Sequence, residues 1–181
     1  YLFKNLNLLF KKGEITGLFG KNGSGKTTIA LLINGLYYQF IEAGNIFFNS
    51  KNLNGFTRDS IRKKIAFFMQ TPDILSGKIK DVLSLDSENS NDFIRELKEL
   101  RLFELIERKG FNYYIQENGA NLSGGEKQML LLLESLSSNA KEIFIFDEIE
   151  SSQDIKNVEI LKHLFLFLKN KNKIVIIISH R

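Results

Sequence analysis

The chain has 181 residues, 43% of them hydrophobic and 12% aromatic, which is apolar enough for one folded domain and too apolar for global disorder. Its 25 basic and 21 acidic residues leave a net charge of +4, dispersed along the chain, whereas nucleic-acid proteins gather their cations on one face. There is no cysteine, which excludes a disulfide framework, thiolate chemistry and zinc–cysteine sites; no apolar run approaches the ~20 residues of a membrane helix, and no signal-peptide pattern is visible.

Tyr1 to Leu9 is apolar and β-prone, and Lys12-Gly13 turns into a predicted strand, Glu14 to Phe19. Gly20 to Thr28 follows as a glycine-rich run, and Ile29 to Leu36 is helix-compatible. A turn at Glu42 to Asn45 precedes a short strand, Ile46 to Asn49, and Asn52 to Thr57 is polar and turn-rich. Ser60 to Lys64 is predicted as a short basic helix and Ile65 to Met69 as a buried strand that stops before Pro72, since proline cannot continue a central strand. Between Ile79 and Tyr114 the residues Phe93, Leu97, Leu100, Leu102 and Leu105 recur at helical spacing with charges between them, which predicts two or three helices. After a loop at Asn118 to Asn121, Leu122-Ser123-Gly124-Gly125-Glu126-Lys127-Gln128 opens an apolar helix to Leu136. Ile143 to Phe146 is a fully apolar strand ending in Asp147-Glu148. Asp154 to Lys169 is amphipathic, with Ile155, Val158, Ile160, Leu161, Leu164 and Leu168 on its buried face, and Ile174 to Ile178 is a last strand before Ser179-His180-Arg181. Apolar strands alternating with helices predict an α/β fold with a mostly parallel sheet covered on both faces.

Gly20-Lys21-Asn22-Gly23-Ser24-Gly25-Lys26-Thr27-Thr28 reads G-x-x-x-x-G-K-T between a strand and a helix, the context of a phosphate-binding P-loop. Its glycines allow positive φ and let several N–H groups point into one concavity. The helix that follows adds the positive end of its dipole. Lys26 supplies a mobile charge for the β- and γ-phosphates, and Thr27 a hydroxyl for Mg²⁺, which takes few protein ligands. A dinucleotide fingerprint is the weaker match, because Gly23-Ser24-Gly25 lacks the third glycine. Asp147 ends a buried strand, where open α/β sheets place their ligands, and Glu148 is placed to polarise a water. Gly124-Gly125 at a helix start is a second anion site; Ser123 and Glu126 also form the pattern of a capping box, and the two readings are compatible.

These motifs together resemble the nucleotide-binding domain of ABC ATPases over nearly the whole chain. Gly20 to Thr28 matches the Walker A loop, Gln70 the Q-loop glutamine, and Leu122 to Glu126 the signature L-S-G-G-Q/E. Ile143 to Asp147 matches the Walker B strand, with Glu148 at the catalytic position; Ser151-Ser152-Gln153-Asp154 resembles the D-loop and His180 the switch histidine. The resemblance implies a P-loop core of residues 1–77 and 115–181, with an antiparallel β part near the N-terminus and an inserted helical subdomain at residues 78–114. It implies nucleotide binding by Gly20, Asn22, Gly23, Ser24, Gly25, Lys26, Thr27, Thr28, Gln70, Ser123, Gly124, Gly125, Glu126 and Asp154, with ATP and Mg²⁺ as cofactors. It assigns the metal to Thr27, Gln70 and Asp147, and catalysis to Glu148, His180 and Lys26. The implied partners are a second nucleotide-binding domain, head to tail, and a transmembrane domain fused upstream, at the cytoplasmic face of the cell membrane; no nucleic acid is expected.

Asp73 to Ile79 resembles the l-F-S-G-T-I segment of exporter-type domains, and Ile115 to Gly119 their V-G-E-R-G loop, with Gln116 in place of glycine and Asn118 of arginine. This points to an exporter, of a peptide or bacteriocin. The usual R-Q-R and A-R-A-L after the signature are replaced by Lys127-Gln128-Met129 and Leu133-Glu134-Ser135-Leu136, and Gln153 replaces an apolar D-loop residue. Both ends are expected to be truncated. Tyr1 is the one candidate here for the adenine-stacking aromatic, although it lies close to Gly20 for that role. The competing functions are a soluble ABC-type ATPase acting on nucleic acid or ribosomes, and a non-hydrolysing nucleotide sensor. The DNA-repair type splits its motifs with a coiled coil, and residues 71–122 carry no sustained heptad. Intact Lys26, Glu148 and His180 weigh against the sensor. Asn170-Lys171-Asn172-Lys173 lacks the aspartate of the guanine-reading N-K-x-D.

Overall fold

The apolar runs become the strands of one parallel sheet. In a computed structural model, which describes residues 3–37, 41, 43–68, 74–85, 90–148 and 158–179, these are β1 (Ile15–Phe19), β4 (Ile65–Phe68), β7 (Ile143–Asp147) and β8 (Ile174–Ser179). Their order is β1-β8-β7-β4, all neighbours parallel. The register pairs Ile143 with Ile65 on one side and with Ile174 on the other, so the three apolar strands are level at their starts. β7 is buried at every position, which explains why Ile143 to Phe146 are apolar throughout instead of alternating.

Side chains alternate across the sheet and so divide the core in two. Phe144 and Phe146 of β7 with Ala66, Phe68 and Val175 face one layer, built from α6 (Gly124–Ser137) and α7 (Val158–Asn170) through Leu130, Leu133, Leu161, Leu164 and Leu168. Ile143 and Ile145 with Ile65, Ile174, Ile176 and Ile178 face the other, where Ala30 of α1 (Lys26–Ile33) and Ile61 of α2 (Arg58–Lys64) pack. Phe146 is fully buried; it stacks on Phe68 at 4.6 Å and meets Phe165 of α7 at 4.9 Å. This aromatic column fixes the end of the strand that carries Asp147.

A β-hairpin, β2 (Phe47–Phe48) with β3 (Lys51–Asn52), supplies the antiparallel part. The helical stretch holds α3 (Ile79–Val82), α4 (Ser90–Glu99) and α5 (Glu104–Lys109). Its two ends are tied by a second antiparallel pair, β5 (Gly77–Lys78) with β6 (Tyr114–Ile115). Leu83, Leu97, Leu102 and Leu105 of this stretch belong to the same apolar cluster as Leu133 and Phe146.

The β-prone stretch at the start of the chain forms no strand among its described residues, Phe3 to Leu9. Leu6, Leu8 and Leu9 are 49%, 47% and 74% exposed. An apolar run makes a strand only when a neighbour takes its backbone hydrogen bonds, and among the described residues none pairs with it. The predicted helix from Asp154 is described from Val158 onward; Ile155 lies outside the described residues, as do Met69 and Pro72.

Candidate functional site

The P-loop runs from the C-terminal end of β1 into α1. Gly23 and Gly25 have φ of 77° and 90°, a region where a side chain would be strained. Gly25 is the N-terminal cap residue of α1, and no side chain caps the helix. The amide ends of its first turn thus keep their capacity for an anion. Lys26 folds its ammonium back over the loop, donating to the Gly20 carbonyl at 2.7 Å and the Lys21 carbonyl at 3.1 Å. It stands beside the concavity with its charge shared by two carbonyls.

Thr27 joins the loop to the Walker B strand. Its hydroxyl donates to Asp147 Oδ2 at 2.7 Å. Asp147 is 9% exposed, and its other oxygen, Oδ1, is buried with no hydrogen-bond partner among the described residues. Burial pushes its carboxyl above the usual range; the Thr27 hydroxyl opposes the rise, Glu148 adds to it and Lys26 opposes it. A buried carboxylate oxygen without a partner is costly, and one whose sister oxygen accepts from a threonine hydroxyl suits a hard divalent cation. Among the described residues no cluster of three or more histidine, aspartate or glutamate side chains could hold a metal by itself. The donor set therefore fits an ion such as Mg²⁺ that keeps most of its shell as water and phosphate oxygen.

Glu148 follows directly, with φ 51°, and its N–H donates to the Ile178 carbonyl of β8 at 3.0 Å. A glutamate in the left-handed region is held there by its surroundings. Sequence reasoning found the residue by its place after Asp147 but not this backbone, which no residue-type pattern signals.

The signature loop starts α6. Ser123 Oγ accepts the Glu126 N–H at 3.2 Å, and Glu126 Oε2 accepts the Ser123 N–H at 2.8 Å, a complete capping box. Glu126 is also engaged by Arg108 and Lys109 of α5, partners that sequence reasoning missed. Asn121 braces the approach, donating to the Tyr114 carbonyl at 2.9 Å and accepting from the Gln116 N–H at 3.0 Å. The structure thus brings Gly20 to Thr28 together with Asp147 and Glu148, and places Ser123 to Glu126 on a separate helix start. Gln70, Asp154 with Ser151 to Gln153, His180 and Tyr1 lie outside the described residues.

Residues 3–151 match the ABC transporter family. The chain belongs to that family. As an ABC domain it binds ATP, and the family's domains hydrolyse it. The chain is 32% identical to the alpha-hemolysin translocation ATP-binding protein HlyB of Escherichia coli O157:H7, covering 99% of this chain and 26% of HlyB. It is 34% identical to the lacticin-481/lactococcin-DR transport/processing ATP-binding protein lcnDR3 of Lactococcus lactis subsp. lactis, covering 99% of this chain and 25% of lcnDR3. It is 31% identical to the energy-coupling factor transporter ATP-binding protein EcfA1 of Mesomycoplasma hyopneumoniae strain 7448, covering 99% and 65%. The chain thus spans about a quarter of the first two relatives. A bacterial Atm1-family ABC exporter with ATP bound has the same fold, with a TM-score of 0.70 over 95% of this chain and 30% of the other, at 22% identity. Among the described residues no helix of this ABC domain is long and apolar enough to cross a membrane.

Proposed function

We propose that this chain is the ATP-hydrolysing domain of an exporter, driving a polypeptide or peptide across a membrane from its cytoplasmic face. The observation that carries the reading is the Thr27–Asp147 bond, which closes the P-loop onto the end of the central strand and leaves the other Asp147 oxygen buried without a partner among the described residues. The names of HlyB and lcnDR3 support export of a polypeptide. A membrane domain, fused upstream or separate, and a second nucleotide-binding domain are the partners. Residues 78–114 act as the inserted helical subdomain that presents the signature.

In this reading the amides of Asn22 to Thr28, with Gly20, cradle the phosphates, and Lys26 turns its ammonium from the loop carbonyls to the β- and γ-oxygens. Thr27, Asp147 and Gln70 would hold Mg²⁺, which would supply neutralisation of the phosphate charge. Glu148 orients and polarises the attacking water, and His180 holds the γ-phosphate. Ser123, Gly124, Gly125 and Glu126 serve the nucleotide of a second copy, with Asp154 linking the two sites.

Two variants test this. Lys26→Ala should bind nucleotide far more weakly in a titration of the full-length protein. Glu148→Gln should bind ATP normally and release phosphate about 10²-fold or more slowly, the scale of general-base loss. Phosphate release at the parent rate by Glu148→Gln would remove Glu148 from the chemistry and overturn the assignment. Undiminished ATP affinity in Lys26→Ala would do the same for the P-loop.

A further inference from the structure

Glu126 ties the signature loop to the helical stretch. Its Oε2 accepts the Ser123 N–H at 2.8 Å, while its Oε1 faces Arg108 and also Lys109, the latter at 3.3 Å. The Glu126 and Lys109 side chains are 15% and 18% exposed and Arg108 is 54% exposed, so Lys109 is the more sheltered of the two partners. Lys109 also lies over the Tyr113 ring, 4.4 Å from its centroid. Tyr113 Oη accepts from Asn121 Nδ2 at 3.0 Å, and Asn121 stands two residues before Ser123. The end of α5 and the approach to α6 therefore form one brace beneath Ser123 to Gly125.

The charge of Glu126 poses a problem that the brace solves. The first N–H groups of a helix have no partner within it and attract anions. A carboxylate capping the same helix satisfies part of that demand and repels any phosphate that approaches. Protonation does not relieve the conflict. Burial would raise the Glu126 carboxyl, but the Ser123 amide, Lys109 and Arg108 together hold it below the usual range, so it stays charged. Two cations thus face this one carboxylate.

We propose that Arg108 and Lys109 are positioning residues for the second half of the nucleotide site. They hold Glu126 in its cap and cancel its charge, so that the Gly124 and Gly125 amides, next to the Ser123 N–H that Glu126 occupies, donate to the polyphosphate bound to a second copy of this chain. This rests on the head-to-tail reading above. Neither cation needs to touch the phosphate, and that distinguishes a positioning role from direct binding.

A double-mutant cycle decides it. The full-length protein carrying Glu148→Gln is titrated with ATP, and association is followed by light scattering, with and without Arg108→Ala/Lys109→Ala, in the parent and the Glu126→Gln backgrounds. Glutamine retains an acceptor for the Ser123 N–H and carries no charge. The expected result is that removing the two cations raises the ATP concentration for half-association about tenfold where Glu126 is intact, and less than about twofold in the Glu126→Gln background, within the span of measured couplings. Equal losses in both backgrounds overturn the inference, because the cations would then act on the nucleotide directly or on the folding of α5. If the Glu148→Gln protein does not associate with ATP at all, the head-to-tail reading fails and takes this inference with it.

Discussion

The two ends of the four-stranded sheet are built on opposite terms. At its N-terminal end the charges around Glu142 are partnered. Glu142, one residue before β7, accepts from Lys12 and Lys64, each at 2.7 Å. Its N–H donates to the Lys64 carbonyl at 2.8 Å, and its carbonyl accepts from the Ile174 N–H at 2.9 Å. Lys141 donates to the Arg62 and Ile65 carbonyls, and Lys173 to the Lys141 carbonyl at 2.7 Å. At the C-terminal end, a few residues along the same strands, Asp147 has a buried oxygen with no partner among the described residues, Glu148 sits at φ 51°, and Lys26 rests on loop carbonyls. One end stabilises the fold; the other leaves groups unsatisfied or strained, which is how a site keeps capacity for a ligand.

The sharpest break of this contrast is Asp147→Asn. In the presence of Mg²⁺ and ATP, the parent should gain thermal stability by linkage, and the variant should lose most of that gain. Without ligand the variant should be more stable than the parent at neutral pH by about 1 kcal/mol, since it no longer buries a charge with one oxygen unpartnered among the described residues. The sign follows from the raised carboxyl. Between the ordinary aspartate value of 3.8 and the higher native value, the native state binds more protons than the unfolded one, so parent stability falls as pH rises through that window. Denaturant unfolding across pH reads both effects, and a variant less stable than the parent at pH 7 would contradict the account.

The contrast itself was only half legible in the sequence. The strands were, because a buried parallel strand needs an apolar residue at every position, and Ile143 to Phe146 has one. The P-loop was, because spacing, glycines and flanking elements all constrain the same nine residues. The Glu126 cap was legible too, since both of its halves lie within one turn. What escaped depends on residues distant in sequence or on backbone. Thr27 reaches Asp147 across 120 residues, and Arg108 reaches Glu126 across 18. The left-handed Glu148 follows from the way β7 ends against Ile178, not from its residue type. Phe3 to Leu9 misled for the opposite reason: its composition is that of a strand, but strand formation depends on a partner that composition does not reveal.

A smaller effect sharpens the strain at the C-terminal end. Glycine is ordinarily less favourable than alanine in folded backbone, by roughly 0.5–1 kcal/mol in regular elements. At φ 51° the order reverses, because the left-handed region costs a residue with a Cβ about 1 kcal/mol. Glu148→Gly should therefore be more stable than Glu148→Ala, by about 1 kcal/mol in denaturant midpoint analysis. Both remove the carboxylate, so the comparison isolates backbone from charge. The usual order, alanine above glycine, would mean that Glu148 is not held in that conformation in solution.

The smallest effect belongs to the satisfied end, and its smallness is the point. Hydrogen bonds from Lys12 and Lys64 hold the Glu142 carboxyl below its usual range against an opposing effect of burial. The lysines are 41% and 44% exposed, so water screens each pair, and each is worth no more than about 1 kcal/mol. Glu142→Gln should cost under about 1 kcal/mol at neutral pH and less at high salt, where exposed pairs are screened. A depressed carboxyl stabilises the fold above the ordinary glutamate value of 4.5, and that contribution is lost as pH falls through the lower native value. Parent and variant should therefore converge in acid. Lys12 and Lys64 remain exposed to water in the variant, and the half-buried Lys173, whose charge Glu142 supports, still donates to the Lys141 carbonyl, so the large penalty of a broken interior pair does not arise. A loss of about 3 kcal/mol that persists in acid and in salt, the scale of a broken interior pair, would show that this end depends on packing around Glu142, not on its charge.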